Sequence, residues 1–269
     1  MLPDSFGLRY NKKQMLKHWK KNSGRIGCRN MNQNILGFYA NTKMLDQEEV
    51  FRHFFCSLSK ERQQKIDVIK AEGARLSSLG AWTLMDYGLR QLYGLRQKDV
   101  TITYGAHGKP YVKDRPDIQF NLSHSGDYVL AAFGPVELGC DIQMIGEAHR
   151  NDRIATRFFT EAEQKALAEG IDFYRIWARK ESYIKCNGNG MACDLRSFDV
   201  TGDMLLVQEV DVCGLSNCNG ADSEQLREMI FFADHELPGY EMAVCYENSG
   251  ELPVVWQEVN FDDWHQSNG

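Results

Sequence analysis

Residues 138–145 read LGCDIQMI, and this stretch places an acid and an amide two positions apart in an apolar run. In a β-strand alternate side chains share a face, so Asp141 and Gln143 would point one way and the apolar residues beside them the other. The two polar groups would lie about 6–7 Å apart along the strand. A half-buried strand with a polar outer face is one interpretation, and half of a metal site is the other.

Composition is that of an ordinary soluble globular protein. The chain has 269 residues, 43% of them apolar and 25% charged, which is enough for one large domain or two of modest size. It contains no apolar run of the roughly 20 residues that a membrane span needs, and its N-terminus lacks the apolar core of a secretion signal. Its eight cysteines include no CxxC pair and no zinc-like spacing. We therefore expect a cytoplasmic protein with reduced thiols and no membrane partner.

Charge is concentrated at the N-terminus. Residues 1–30 carry eight Lys or Arg against one acid, a net charge of +7, whereas the rest of the chain carries −13. A basic tail can indicate nucleic acid binding, but a strand-like run, ILGFYA, begins soon after Met31. We interpret residues 1–30 as a disordered extension or as sequence upstream of the true start, and we assign no nucleic acid partner.

The predicted elements occur in the same order twice. The first half contains a strand at 35–40, helices over 46–58 and 59–95, a strand at 100–104 and a hairpin, FNLSHS and YVLAAFG. After the Gly134-Pro135 break come a strand at 138–145, helices over 160–170 and 172–186, and strands SFDV, LLVQEV, REMIFFAD and YEMAVCYE. We predict an α+β protein of two similar α/β lobes in a pseudo-twofold arrangement, residues 31–136 and 137–262, with a site in the cleft between them.

The stretch WARKESYIK, residues 177–185, places Trp177, Glu181 and Lys185 along one helix face. A carboxylate and an ammonium one turn apart commonly form a surface salt bridge worth about 0.3–0.5 kcal/mol. An aromatic residue in line with them favours a face that points inward. A charged pair beside a buried aromatic ring then requires a cavity or a ligand.

Five segments together resemble the 4′-phosphopantetheinyl transferases of the surfactin (Sfp) type, the two-lobed class of that family. They are GKP at 108–110, FNLSHSG at 120–126, GCDIQ at 139–143, RFFTEAE at 157–163 and WARKESYIK at 177–185. The resemblance implies that the phosphopantetheine arm of coenzyme A, the co-substrate, is transferred to a serine of an acyl or peptidyl carrier protein. Adenosine 3′,5′-bisphosphate is released.

The resemblance also implies roles for the acids and the lysine. Asp141, Gln143 and Glu181 match the metal-binding positions, where Mg²⁺, or Mn²⁺ in its place, is expected because carboxylates with open positions suit these ions. Asp141, Glu181 and Lys185 would be catalytic, with Glu181 accepting the serine proton directly or through a metal-bound water and Lys185 contacting the pyrophosphate. The family usually has Glu where Gln143 stands. We expect weaker metal binding here, and Gln143→Glu to lower the Mg²⁺ requirement.

A further set of residues would bind coenzyme A by the same resemblance. It comprises Arg62, Lys65, Arg75, Gly108, Lys109, Pro110, Ser123, His124 and Lys185. Each assignment has a structural alternative to coenzyme A binding. For His124 it is a hydrogen-bonded turn residue, and for Arg62 and Lys65 it is a solvated helix face.

Partner and pathway follow from the resemblance alone. Members of the two-lobed class act as monomers on carrier domains of peptide, polyketide or fatty acid synthases, and they often serve antibiotic biosynthesis. A second hypothesis is a catalytically weak homologue that binds coenzyme A or a carrier without transfer, and Gln143 is the residue that supports it. Whether the third metal ligand is Gln143 or water stays open.

Overall fold

The computed structural model describes residues 34–146, 151–206 and 229–268, and it contains the predicted order of elements twice. The first half comprises β1 (Ile35–Asn41), α1 (Glu48–Ser57), α2 (Lys60–Asp67), α3 (Glu72–Tyr93), β2 (Ile102–Tyr104), β3 (Pro110–Val112), β4 (Gln119–Ser125) and β5 (Tyr128–Gly134). The second half comprises β6 (Leu138–Met144), α4 (Asn151–Phe158), α5 (Glu161–Ala168), α6 (Phe173–Cys186), β7 (Met204–Leu206), β8 (Met229–Leu237) and β9 (Tyr240–Asn248). Two further elements follow, β10 (Val254–Glu258) and α7 (Phe261–Asn268).

Two four-stranded sheets share one internal order. The first sheet runs β10-β1-β5-β4 and the second β6-β9-β8-β7. Within them β1-β5-β4 and β6-β9-β8 are equivalent runs of antiparallel neighbours, because each half folds its first strand against its last. The predicted α+β class is confirmed.

The C-terminal segment corrects the predicted division of the chain. Residues up to 262 were assigned to the second lobe, but β10 pairs in parallel with β1 of the first sheet, with Ile35 opposite Val254. Helix α7 then packs on the first half, where Phe261 and Trp264 contact Phe54. A hydrophobic pattern indicates that a strand is buried but does not identify the sheet edge that it joins, so sequence could not assign this segment.

Two predicted strands also need correction. SFDV, residues 197–200, is not a strand, because its polar backbone groups bond to helix side chains: the Val200 N–H donates to Glu163 and the Val200 carbonyl accepts from Arg179. LLVQEV contributes Leu205 and Leu206 to β7, and its remaining residues lie outside the described ranges. So do the first two residues of REMIFFAD and the predicted N-terminal extension.

Three apolar clusters join four layers, which are helices, the first sheet, the second sheet and further helices. One cluster joins the first sheet to α1, α3 and α7, and another joins the second sheet to α4, α5 and α6. The third lies between the sheets and includes Tyr39 and Leu130 from the first and Cys140 and Ile142 from the second. Because Cys140 and Ile142 face the first sheet, Asp141 between them faces α6, as strand alternation predicts.

In the described ranges, none of the helices has the length and apolar composition that a membrane span requires. The five cysteines of this part of the chain, Cys56, Cys140, Cys186, Cys193 and Cys245, are free thiols.

Candidate active site

Side chains of β4 bond to the backbone of β6 and join the two sheets along a line that we call the seam. The bonded side chains alternate along β4, because every second residue of a strand faces the same way. The N–H groups donate from Cys140 to Asn121 Oδ1 at 3.1 Å, from Ile142 to Ser123 Oγ at 3.3 Å, and from Met144 to Ser125 Oγ at 3.0 Å. These bonds fix the position of β6 relative to β4, and therefore the position of Asp141 relative to the first sheet.

Ser123 is the most connected residue of the seam. Its hydroxyl donates to Asp141 Oδ1 at 2.8 Å and accepts from Lys185 Nζ at 2.9 Å, besides the N–H of Ile142. A serine hydroxyl has one donor and two acceptor sites, so these three bonds occupy them all. The contact with a coenzyme A phosphate that the resemblance implies for Ser123 would require one of these bonds to break.

Asp141 is held from three sides and is only 3% exposed. Lys185 Nζ donates to its Oδ1 at 2.5 Å, and Gln143 Nε2 donates to its Oδ2 at 2.6 Å. Together with the bond from Ser123, these donors compensate the buried negative charge. The structure therefore brings together Asp141, Gln143, Ser123 and Lys185, all four predicted from sequence.

Gly139 allows α6 to approach β6 closely enough for these contacts. A Cβ atom at this position would lie 2.1 Å from the Ser182 carbonyl oxygen and 2.4 Å from the Cys186 nitrogen. No side chain fits, and the last turns of α6 are pressed against the strand beside Asp141. A glycine inside a strand signals such an approach, and this signal was available in GCDIQ but was not used.

The charges of the site influence one another. Burial raises the pKa of Glu181, as does the negative charge of Asp141, while Lys185 acts in the opposite direction. Burial would lower the pKa of Lys185, but Asp141 and other neighbours outweigh it, so that this pKa is raised. Burial, followed by the charge of Lys185, lowers the pKa of His124, against the effect of Asp141. Glu181 lies one helical turn before Lys185 on α6, and both line the groove described below.

A groove of about 290 Å³ opens beside this group. Its lining includes His107, Gly108, Lys109, Pro110, Asn121, Glu181, Lys185, Gly188 and Gly190. The predicted GKP loop and the predicted catalytic residues of α6 therefore face the same space. Gly108 has a φ of +86°, a conformation that favours glycine, which explains this residue in the turn.

The Lys109 side chain anchors the loop at the wall of the groove. Its Nζ donates to Glu137 Oε2 at 2.5 Å and to the Cys186 carbonyl at 2.7 Å, and the residue is 8% exposed. These two bonds use two of the three Nζ hydrogens, so the side chain mainly holds the loop in place. The roles of Glu137 and Asn121 were missed from sequence because they depend on contacts between distant segments.

The three other predicted cations lie elsewhere. Arg62 donates to Tyr104 Oη and stacks on Trp82 at 3.5 Å from the ring centre, while Lys65 bonds to the same hydroxyl at 3.2 Å and pairs with an acid one turn earlier. Arg75 lies over the Phe51 ring, 4.3 Å from its centre, and its buried Nε has no hydrogen-bond partner among the described residues. In the described part of the chain, none of the three contacts the Asp141 group.

The donor atoms of the site suit a hard cation. Asp141 and Glu181 supply carboxylate oxygens on facing elements, and Gln143 supplies an amide, while no three His, Cys, Asp or Glu residues in the described ranges converge as a complete metal cage. Mg²⁺ favours such incomplete sites, because it keeps waters and accepts substrate phosphate oxygens as ligands. The residues present therefore fit this ion.

Comparisons with known proteins agree with this geometry. Residues 137–245 match the 4′-phosphopantetheinyl transferase superfamily, and residues 46–135 match the family described as 4′-phosphopantetheinyl transferase, N-terminal. The 4′-phosphopantetheinyl transferase Sfp of Bacillus subtilis (strain 168) is 33% identical over 219 residues, 78% of this chain and 91% of that protein.

Two further relatives match smaller parts of the chain. The 4′-phosphopantetheinyl transferase gsp of Aneurinibacillus migulanus is 34% identical over 161 residues, 56% of this chain and 66% of that protein. The L-aminoadipate-semialdehyde dehydrogenase-phosphopantetheinyl transferase of Mus musculus is 34% identical over 144 residues, 46% of each chain. With both halves of the chain matched in order, the protein belongs to the 4′-phosphopantetheinyl transferase superfamily, among its Sfp-type members.

Proposed function

We propose that this protein transfers the 4′-phosphopantetheine moiety of coenzyme A to a serine of a carrier protein. The observation that carries the proposal is the common groove of the GKP loop, Glu181 and Lys185, with Asp141 bonded to Lys185 at its edge. Phosphoryl transfer requires a base and charge-stabilising groups around one space, and in this proposal Glu181, Lys185 and Asp141 supply them. The alternative of a binding protein without transfer has no support from the comparisons.

The reaction places defined demands on these residues. The carrier serine oxygen bonds to the β-phosphorus of coenzyme A, and the bond to the bridging oxygen breaks, so that adenosine 3′,5′-bisphosphate leaves. We assign acceptance of the serine proton to Glu181, whose side chain lines the groove. Lys185 donates to Ser123 and Asp141 and has a third N–H for a pyrophosphate oxygen. Mg²⁺ held by Asp141 and Glu181, with Gln143 beside them, would neutralise pyrophosphate charge when bound.

The nucleotide end of coenzyme A would occupy the groove. The backbone of Gly108, Lys109 and Pro110 would border it, with His124 near the phosphates. Arg62, Lys65 and Arg75 could meet the 3′-phosphate only if the ligand extends beyond the groove to Tyr104. For the partner we propose acyl or peptidyl carrier domains of peptide, polyketide or fatty acid synthases, including those of antibiotic biosynthesis. The enzyme would act as a cytoplasmic monomer with Mg²⁺ or Mn²⁺.

A mass-gain assay tests the proposal. The purified protein is incubated with coenzyme A, Mg²⁺ and several apo carrier domains, and the carriers are weighed by mass spectrometry. We expect at least one carrier to gain the mass of one phosphopantetheine, and the serine-to-alanine form of that carrier to gain none. If no carrier gains mass while coenzyme A still binds, the protein is not a transferase for these partners.

The Glu181→Gln variant tests the assigned base. The amide keeps the shape of the side chain but cannot accept the proton, so we expect transfer to fall by at least about 100-fold, within the range for general base catalysis. Circular dichroism and the melting temperature should match the parent protein. Activity near the parent level would remove Glu181 from both of its proposed roles.

A further inference from the structure

The Lys109 side chain joins three segments of the chain at the wall of the groove. Lys109 belongs to the GKP loop, and its Nζ donates to Glu137 Oε2 at 2.5 Å and to the Cys186 carbonyl at 2.7 Å. Glu137 is the residue before β6, and Cys186 is the last residue of α6. One ammonium group therefore connects the loop to the strand that carries Asp141 and to the helix that carries Lys185.

The bond to Cys186 closes the C-terminal end of α6. The last carbonyls of a helix have no partner within the helix, and they carry a partial negative charge. An ammonium group that donates to one of them satisfies the carbonyl and interacts favourably with this charge. The Lys109 side chain is only 6% exposed, so the interaction is shielded from water. Without it, α6 would lose a bond at the residue that directly follows Lys185.

Glu137 orients the same ammonium group. Its carboxylate, 42% exposed, pairs with Lys109, and a buried ammonium needs such partners because desolvation of the charge costs free energy. The backbone of Glu137 is held in turn by the second half of the chain. Its carbonyl accepts from the Glu247 N–H at 3.2 Å and from Cys186 Sγ at 3.6 Å. Glu137 is therefore a second anchor for Lys109, beside the end of α6.

The GKP loop has backbone bonds of its own that do not involve Lys109 Nζ. The Gly105 N–H donates to the Lys109 carbonyl at 2.9 Å, and the Gly108 N–H donates to the Gly105 carbonyl at 3.0 Å. Strands β2 and β3 pair on either side of this turn, with Tyr104 opposite Pro110. Loss of the Lys109 side chain should therefore change the position of the loop relative to α6 more than the shape of the loop.

We propose that Lys109 is a positioning residue, which sets the distance between a ligand bound along the GKP loop and Lys185 on α6. It acts through the Cys186 carbonyl, with Glu137 as its second anchor, and binding of coenzyme A does not require its ammonium group. The inference rests on the proposed function for the reaction that Lys185 assists. It changes the role of Lys109, which the family resemblance placed among the coenzyme A contacts.

A positioning role affects the rate more than the affinity. A misplaced charge-stabilising group costs rate because it is no longer aligned with the reacting atoms, and an error of about 1 Å can cost about 100-fold. Ser123 also holds Lys185, so a part of this loss is expected. For Lys109→Met we expect transfer to slow about tenfold. The dissociation constant for coenzyme A should change less than about threefold, because the interaction lost is not made with the ligand.

Two measurements on Lys109→Met test this split. Isothermal titration calorimetry with coenzyme A, without carrier, gives the dissociation constant. Single-turnover transfer at saturating coenzyme A and carrier gives the rate. Lys113→Met is the matched control, because it removes the same charge from an exposed position just beyond the loop, and both of its values should lie within about twofold of the parent. A rate for Lys109→Met equal to that of the control, or a dissociation constant raised more than about tenfold, would overturn the proposal.

Glu137 provides a coupling test that a general loss of stability would not satisfy. Glu137→Ala removes one of the two anchors, so transfer should slow about threefold. In the double variant with Lys109→Met, the second substitution should add no further loss, because the ammonium group through which Glu137 acts is absent. A further threefold loss in the double variant would show that Glu137 acts independently of Lys109, and would reject its role as an anchor.

Hydrogen exchange at the end of α6 tests the junction without reference to transfer. Mass spectrometry follows amide exchange in peptides that cover residues 182–188. We expect exchange about tenfold faster in Lys109→Met than in Lys113→Met, because a bond from a charged donor is lost. Equal exchange in the two variants would overturn the proposal. A parent protein that modifies no carrier would instead reject the proposed function, and the exchange result would still decide whether Lys109 holds α6.

Discussion

Helix α6 carries two lysines, five positions apart, that pair with carboxylates in opposite settings. Lys180 is paired with Glu163 at 2.8 Å, and both side chains are 0% exposed. Lys185 is paired with Asp141 at 2.5 Å, but its side chain is 29% exposed. The same two chemical groups thus form one sealed pair and one open pair in a single helix.

The sealed pair is saturated. Lys180 Nζ also donates to the carbonyls of Leu195 and Phe198, which uses all three of its hydrogens. Glu163 accepts the N–H groups of Thr160 and Val200, so it closes the start of α5 and holds the following loop. Burial lowers the pKa of Lys180 more than Glu163 raises it. Because all three hydrogens of Lys180 are donated within the protein, this pair has no free donor with which to bind a substrate.

The open pair keeps capacity for a ligand. Lys185 donates to Asp141 and Ser123, which leaves one N–H at the groove. Its pKa is raised, so the charge is retained in the pH range where enzymes work. The comparison teaches that exposure and spare bonding capacity, not the presence of a buried ion pair, distinguish the site from the scaffold.

The largest effect is expected on stability, from Lys180→Met. The substitution leaves the Glu163 carboxylate buried without its counter-ion, which typically costs about 3–5 kcal/mol of the free energy of unfolding. Urea denaturation measures this loss. The matched control is Lys165→Met, in an exposed pair with Glu169 on α5, where a change of less than about 1 kcal/mol is expected. Equal losses in the two variants would erase the distinction between sealed and surface pairs.

The next effect is expected on activity, from Lys185→Met. We expect the rate of carrier modification to fall by about 100-fold, the scale for removing one preorganised charge-stabilising donor. Lys185 is 29% exposed, so its removal lets water from the groove reach Asp141, which also keeps its bonds from Ser123 and Gln143; the free energy of unfolding should therefore fall by less than for Lys180→Met, by about 1–3 kcal/mol. Transfer kinetics and urea denaturation on one preparation measure both quantities. A stability loss as large as that of Lys180→Met would assign Lys185 to the scaffold.

The smallest effect is a dependence of stability on pH. The pKa of Lys185 is raised above its ordinary value of 10.5, so its ionisation stabilises the fold fully below about pH 10.5 and ceases to do so as the pH rises through the folded pKa. The difference in unfolding free energy between the parent and Lys185→Met should therefore shrink at alkaline pH. Urea denaturation series of both proteins measure it, and a constant difference would contradict the raised pKa.

Local patterns predicted much of this molecule correctly. The helix predicted over 160–170 is present as α5, and its start is fixed by a capping box of Thr160 and Glu163, which are only three positions apart in the sequence. Strand alternation correctly assigned Asp141 to the opposite face from Cys140 and Ile142. The predictions that were wrong depended on contacts between distant segments. β10 pairs with β1 of the first sheet, and the backbone of SFDV bonds to the side chains of Glu163 and Arg179 instead of to a strand.

By itself, the sequence determined the repeated order of elements and the helix and strand faces, because each depends on spacing within a few positions, and it predicted candidate site residues. Only the tertiary structure decided which partners these residues have. In the folded chain the Ser123 hydroxyl makes all three of its hydrogen bonds, and the Lys109 side chain bonds to Glu137. Arg62 bonds to Tyr104, and Glu241 pairs with Gln143 across two strands. These partners lie far apart in the sequence and meet only when the chain packs. A local sequence pattern therefore cannot show how buried a side chain is, which strand it faces or how many of its hydrogen bonds are already made.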